Sequence, residues 1–194
     1  MSTLYILTEE PSIKNIFEAI LPQILPQNVS FRILVHQGKK DLEKALSERI
    51  VSLSRIEGAK ILITIDQDTN DCKLLKQRLA DLIREKCSCD YKIRIVCKEL
   101  ESWLLGDLLA IENAFPRFKS LSFIEKAEMR DVDKIKGKPA DFLLRIIPEL
   151  KDRKKLPKLE FSKKVAPFLD IANNRSTSFN HTINAIKKLC EHLS

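Results

Sequence analysis

An α/β fold, a small open parallel sheet flanked by helices with a mainly helical C-terminal extension, is predicted by three features of the chain. Four short apolar runs, Thr3–Thr8, Val29–Val35, Ile61–Ile65 and Tyr91–Lys98, are each followed by acids, polar residues or glycine and then by a helical stretch. Such strand-then-helix alternation builds parallel sheets. Acids follow the first, third and fourth runs: Glu9-Glu10, Asp66 with Asp68, and Glu99 with Glu101. Past Ala114 the strands stop, and Pro116, Pro139, Pro148, Pro157 and Pro167 break the chain into short helical pieces. The expected division is therefore a catalytic-type α/β domain over residues 1–115 and a basic, mainly helical extension over 116–194.

Each element has a local reason. After the first strand, Pro11-Ser12 reads as a helix start with Ser12 as N-cap, followed by Ile13, Ile16, Phe17, Ile20 and Ile24 at helical spacing. Val29, Phe31, Ile33 and Val35 alternate with Ser30 and Arg32, as in a strand near a sheet edge. Gly38-Lys39 then opens a helix carrying Leu42, Leu46, Ile50 and Leu53. A Gly-Lys at such a turn can offer backbone N–H groups and an ammonium to phosphate, and it serves equally as a plain turn. Asn70 can cap a helix carrying Leu75, Leu79, Leu82 and Ile83. A final helix contains Ile183, Ile186 and Leu189.

With 194 residues the chain can bury a real core, and 44% hydrophobic with 31% charged residues is a globular composition. No apolar run approaches the roughly 20 residues that span a bilayer, and the first residues lack a basic region, so a cytoplasmic protein is expected. Cys72, Cys87, Cys89, Cys97 and Cys190 form no CxxC pair and read as reduced thiols. His36, His181 and His192 stand without a nucleophile or ligand partner. No GxxxxGK[ST] or GxGxxG pattern occurs, which argues against a P-loop or dinucleotide fold.

The net charge of +7 is uneven: residues 1–115 carry 16 Lys+Arg against 17 Asp+Glu, and residues 116–194 carry 18 against 10. An acidic site on one part and a polyanion-attracting surface on the other would produce this split, as would a solvated basic face. Lys151-Asp152-Arg153-Lys154-Lys155, Lys158, Lys163 and Lys164 make the basic run, ahead of the polar turn Asn173-Asn174-Arg175-Ser176-Thr177-Ser178-Phe179. Within that turn Arg175 is the expected phosphate contact, because its planar fork binds oxyanions bidentately; a capping turn with Arg175 paired to an acid is the alternative.

The carboxylates carry the functional argument. Asp66 and Asp68 are two residues apart, so on an extended chain rising about 3.3 Å per residue they point to the same side. They can converge on a hard cation, or serve as turn and cap residues before a helix starting near Asp71. Glu9, at the end of a neighbouring parallel strand, would bring a third carboxylate to the same sheet edge, where like charges need a cation or protons.

The segments LTEEPS, QGKKDL, ITIDQDTNDC, KELESWLLGD and NNRSTSF, in this order, resemble a family of bacterial TOPRIM-like proteins. More distantly the chain is similar to the TOPRIM domains of topoisomerases, primases and OLD-type nucleases. The resemblance implies Mg²⁺ (or Mn²⁺) as cofactor, Glu9 as acid or base and metal ligand, and Asp66 and Asp68 as metal ligands. It further implies Glu99 and Glu101 as additional ligands, Glu99 the better placed while the chain stays extended. The usual Glu-Gly is Glu9-Glu10 here, leaving Glu10 as an alternative to Glu9, with Asp71 a secondary candidate and Lys39 and Arg175 the nucleic-acid contacts. The implied activity is a Mg²⁺-dependent nuclease or related phosphoryl-transfer enzyme in anti-phage defence. Its expected partners are nucleic acid and a separately encoded ATPase, with a homo-oligomer open and no membrane. A catalytically silent module of the same fold, and a DxD nucleotide-sugar transferase, are the competing readings.

Overall fold

The structure, a computed structural model, describes residues 2–191; His192 lies outside them. Four strands, β1 (Ser2–Thr8), β2 (Val29–Val35), β3 (Ala59–Asp66) and β4 (Tyr91–Val96), pair all-parallel in the order β2-β1-β3-β4. The predicted α/β class and open parallel sheet are present. Helices α1 (Pro11–Ile24), α2 (Lys39–Ser54) and α3 (Cys72–Ile83) connect the strands, and α4 (Glu101–Leu105) and α5 (Leu108–Ala114) follow β4. Helices α6 (Pro139–Ile146), α7 (Lys158–Val165) and α8 (Thr177–Cys190), with short 3-10 turns between them, complete the chain.

The sheet is covered on both faces, which is why its central strands read as unbroken apolar runs. Along β1, Leu4 and Ile6 enter one core while Tyr5 and Leu7 enter the other. On β3, Leu62 faces the first core, and Ile61, Ile63 and Ile65 face the second. Helices α2 and α3 fill the second core through Leu42, Leu46, Ile50, Leu75 and Leu79. The first core is larger and joins α1 and α4 through α8 in one buried cluster, so residues on both sides of 115 share it. Trp103 lies at its centre, fully buried, edge-on to Phe17 at 6.1 Å and to Phe179 at 5.5 Å.

Two helix starts differ from the sequence expectation. Glu10 occupies the N-cap position of α1, with Pro11 following it, and Ser12 is buried inside the first turn. Proline is preorganised for the first helical position, and that preference moves the start before Ser12. Asp71, rather than Asn70, caps α3 by accepting the N–H groups of Lys73 (2.8 Å) and Leu74 (2.9 Å). Asn70 instead closes the preceding turn, its side chain donating to the Gln67 carbonyl at 2.9 Å.

Candidate functional site

The C-terminal ends of β1, β3 and β4 lie side by side, and β1 and β3 flank the point where the connections leave in opposite directions. Open α/β sheets bind ligands at such a switch point. Glu9 follows β1 directly, is only 8% exposed, and accepts the backbone N–H of Asp66 at 2.7 Å. Asp66 ends β3, is 6% exposed, and accepts the Leu100 N–H at 3.3 Å. The expected meeting of acids from neighbouring strands is therefore present, and the loop after β4 closes over it.

That loop is pinned by a cross-bonded pair of turns. Gln67 N–H donates to the Val96 carbonyl (2.8 Å), Asp68 N–H to the Lys98 carbonyl (2.9 Å), and Lys98 N–H to Gln67 Oε1 (3.1 Å). Asp68 and Lys98 both have positive φ, +52° and +59°. Neither is glycine, so each holds an uncommon conformation costing roughly 1 kcal/mol or more, the kind of strain that concentrates at functional sites. The Lys98 ammonium reaches the carbonyls of Ile135 and Gly137, tying this loop to the C-terminal half.

The Asp68 carboxylate, half exposed, pairs with Lys39 at 2.6 Å, and, beside burial, its charge helps raise Glu9 and Glu10. Lys39 is delivered by the β2–α2 turn, where Gly38 has φ +93° and donates its N–H to the Glu9 carbonyl at 2.9 Å. The Gly-Lys turn thus serves the site by its ion pair with Asp68.

Glu10, Glu99 and Glu101 gather around one ammonium. Lys158 Nζ lies 3.0 Å from Glu101, 3.7 Å from Glu99 and 4.0 Å from Glu10. Glu101, expected to be less well placed than Glu99, is the most buried of the acids at 1%. The chain is no longer extended there, because Leu100 is already helical, so alternation does not decide direction. Lys158 is the first residue of α7, which lies along α1, where Asn15 Nδ2 donates to Ser162 Oγ (2.8 Å) and to the Leu159 carbonyl (3.2 Å). A cation in the first turn of a helix opposes the helix dipole, and here the three carboxylates compensate.

Burial pushes Glu9 up to about 6 and Glu101 up to about 7, and it raises Glu10 as well. It raises Asp66 well above its ordinary value, reinforced by Glu10, Glu9 and Glu101. Against the opposing effect of its own burial, Lys158 is raised by Glu101 and Glu10. An acid raised in the native state binds protons that the unfolded chain has released, so stability falls with rising pH between the two values. Without divalent metal, the stability contributed by Glu9 and Glu101 should be fully present below about pH 4.5 and lost as pH rises through about 6 to 7. Urea titrations in EDTA at stepped pH should show that fall, and Glu101→Gln should flatten it. A flat profile in the parent protein would remove burial as the source of the shifts.

The remaining predicted residues lie elsewhere. Asp71 is spent on the α3 cap. Arg175 donates from its guanidinium to the carbonyls of Ile124 (2.6 Å) and Met129 (3.3 Å), and its backbone N–H donates to the Gly106 carbonyl (2.9 Å). It holds the 120–130 segment rather than joining the acids. Lys158 is the residue that sequence reasoning missed, since as one lysine in a basic run nothing local distinguishes it.

Among the described residues, no three His, Cys, Asp or Glu side chains are placed to hold a metal ion as they stand. The donor chemistry nevertheless suits a hard cation: the atoms are carboxylate oxygens, and Glu10 Oε1 and Glu99 Oε2 are buried without a hydrogen-bond partner. No helix among the described residues is long and apolar enough to cross a membrane.

Fold and site together define a parallel α/β protein with a buried acid cluster at its switch point and a lysine set among the acids. Residues 8–187 match the family described as "Domain of unknown function (DUF4276)", and the chain belongs to that family. Comparisons with curated proteins and with solved structures find no match.

Proposed function

We propose that the protein is a Mg²⁺- or Mn²⁺-dependent nuclease, or a related phosphoryl-transfer enzyme acting on nucleic acid, with a TOPRIM-like site. The convergence of Glu9, Asp66, Glu10, Glu99 and Glu101 at the ends of adjacent parallel strands carries this reading. Glu9, Asp66, Glu99 and Glu101 would hold the metal, with Asp68 at the rim. Bound there, the metal would supply charge neutralisation for a phosphodiester and its leaving oxygen. Glu9, pushed up toward neutral pH, suits a proton-transfer role. Lys39, already oriented by Asp68, suits a phosphate contact beside the site. The resemblance to OLD-type nucleases supports a place in anti-phage defence beside a separately encoded ATPase, in the cytoplasm.

One observation favours a second reading, a catalytically silent module that binds nucleic acid or a partner ATPase: Lys158 already neutralises part of the acid cluster. Incubation of the purified protein with plasmid, single-stranded DNA and RNA in Mg²⁺ or Mn²⁺ separates the two. The nuclease reading expects metal-dependent cleavage, reduced at least about 100-fold in Asp66→Asn. No cleavage by the parent protein with either metal, alone or with a separately encoded partner ATPase, would transfer the assignment to the silent module.

A further inference from the structure

Outside the acid cluster, the free edge of β4 lies along a cavity of about 610 Å³, within the range of ligand sites. Helix α3 supplies one wall through Cys72, Lys73 and Lys76, and the first turn of α8 supplies the other through Ser178 and His181. Between them lies Arg94, whose Nε is buried and has no hydrogen-bond partner among the described residues. A buried donor left unpaired costs about 1–3 kcal/mol, so Arg94 Nε lacks an acceptor within reach.

The acids in this cleft are largely engaged, Asp131 Oδ1 alone being buried without a hydrogen-bond partner among the described residues. Asp131 pairs with Lys134 at 2.8 Å, and Asp133 accepts the Ser176 hydroxyl and the Ser178 N–H, both at 2.7 Å, at the start of α8. Lys73, Lys76 and Arg94 have no ion pair among the described residues. Three uncompensated cations, one of them with a buried orphan donor, call for an anion. The cleft also touches Gln67, the residue between Asp66 and Asp68.

We propose that this cleft binds the sugar-phosphate backbone of a nucleic-acid strand, seating phosphates on Arg94, Lys73 and Lys76, and leads the strand past Gln67 to the carboxylates. The binding surface stands on its own residues; only the destination of the strand rests on the nuclease reading. Arg94, on a rigid strand, gives the fixed contact, and Lys73 and Lys76, exposed along α3, follow the backbone as point charges.

The test is fluorescence anisotropy in EDTA with a labelled single-stranded oligonucleotide across a salt series. It compares the parent protein, Asp66→Asn, and a triple variant Lys73→Gln, Lys76→Gln, Arg94→Gln. Removing three phosphate contacts should weaken binding about 10- to 100-fold and make the dependence of log affinity on log salt shallower by about 2. Asp66→Asn should bind at least as tightly as the parent. Unchanged affinity and slope in the triple variant would overturn the proposal. So would a mononucleotide competing as strongly as the oligomer, which would make this a nucleotide site. Alkylation of Cys72 and Cys97, which line the cleft, gives a readout needing no variant: the oligonucleotide should slow it several-fold, and no protection would overturn the proposal. Cleavage that ignores the triple variant would sink the cleft and leave the nuclease standing. Cleft-dependent binding without cleavage in any metal would do the reverse.

Discussion

Replacing Lys158 by methionine is expected to destabilise the protein by about 2–3 kcal/mol at pH 8 in EDTA, read as a lower urea midpoint. Removing one partner from a buried charge cluster leaves the others uncompensated, which costs about 3–5 kcal/mol when burial is complete. The lysine side chain is 37% exposed, so solvent screens part of the interaction and the lower figure applies. The loss should shrink near pH 5.5, because Glu101, pushed up to about 7, then takes up a proton and no longer needs the ammonium. On the proposed metal-dependent reading, Mg²⁺ should restore stability to the variant at pH 8, and calorimetry should find tighter Mg²⁺ binding than in the parent, where the ammonium would compete for the same oxygens. Equal midpoints for parent and variant at both pH values would mean that the acids are neutralised by something other than Lys158.

The Gly106→Ala variant should lose about 3 kcal/mol or more, at the upper end of what overpacking costs. The added Cβ would stand 2.1 Å from Asn174 Oδ1 and 2.9 Å from the Ser176 nitrogen, the second of which is backbone and cannot swing aside. Asn174 is itself fixed, donating to the Trp103 carbonyl at 2.8 Å and accepting the Ser176 N–H at 2.9 Å. At roughly 2–4 °C per kcal/mol for a chain of this size, the melting midpoint should fall by about 10 °C. Asn174→Ala removes the nearer clash as well as its own bonds, so the double variant should cost clearly less than the two single losses added. Simple additivity would show that Gly106 and Asn174 are not coupled.

These two residues explain what the recognisable segments of the chain are for. KELESWLLGD and NNRSTSF dock on one another: Trp103 Nε1 donates to Ser178 Oγ at 2.8 Å, and Arg175 N–H to the Gly106 carbonyl at 2.9 Å. The second segment acts on the site indirectly, by holding the helix that carries Glu101 and the loop that carries Glu99.

The sequence by itself determined the four strands, their parallel pairing and the acids at their ends, because strand periodicity and helix spacing are local and the centres of β1 and β3 are mainly apolar. It also marked Glu9, Asp66, Asp68, Glu99 and Glu101 as candidates, since an acid after a buried strand is visible without coordinates. Only the tertiary structure decided which acids gather around one ammonium. Asp68 takes a positive φ that its sequence neighbours do not announce and pairs with Lys39, and Glu10 meets Lys158 from the N-cap position that Pro11 sets for α1. Lys158 arrives from 57 residues beyond Glu101, carried by a helix packed on α1. Its role depends on the distance between side chains in the folded protein, a quantity that no local pattern in a run of lysines encodes.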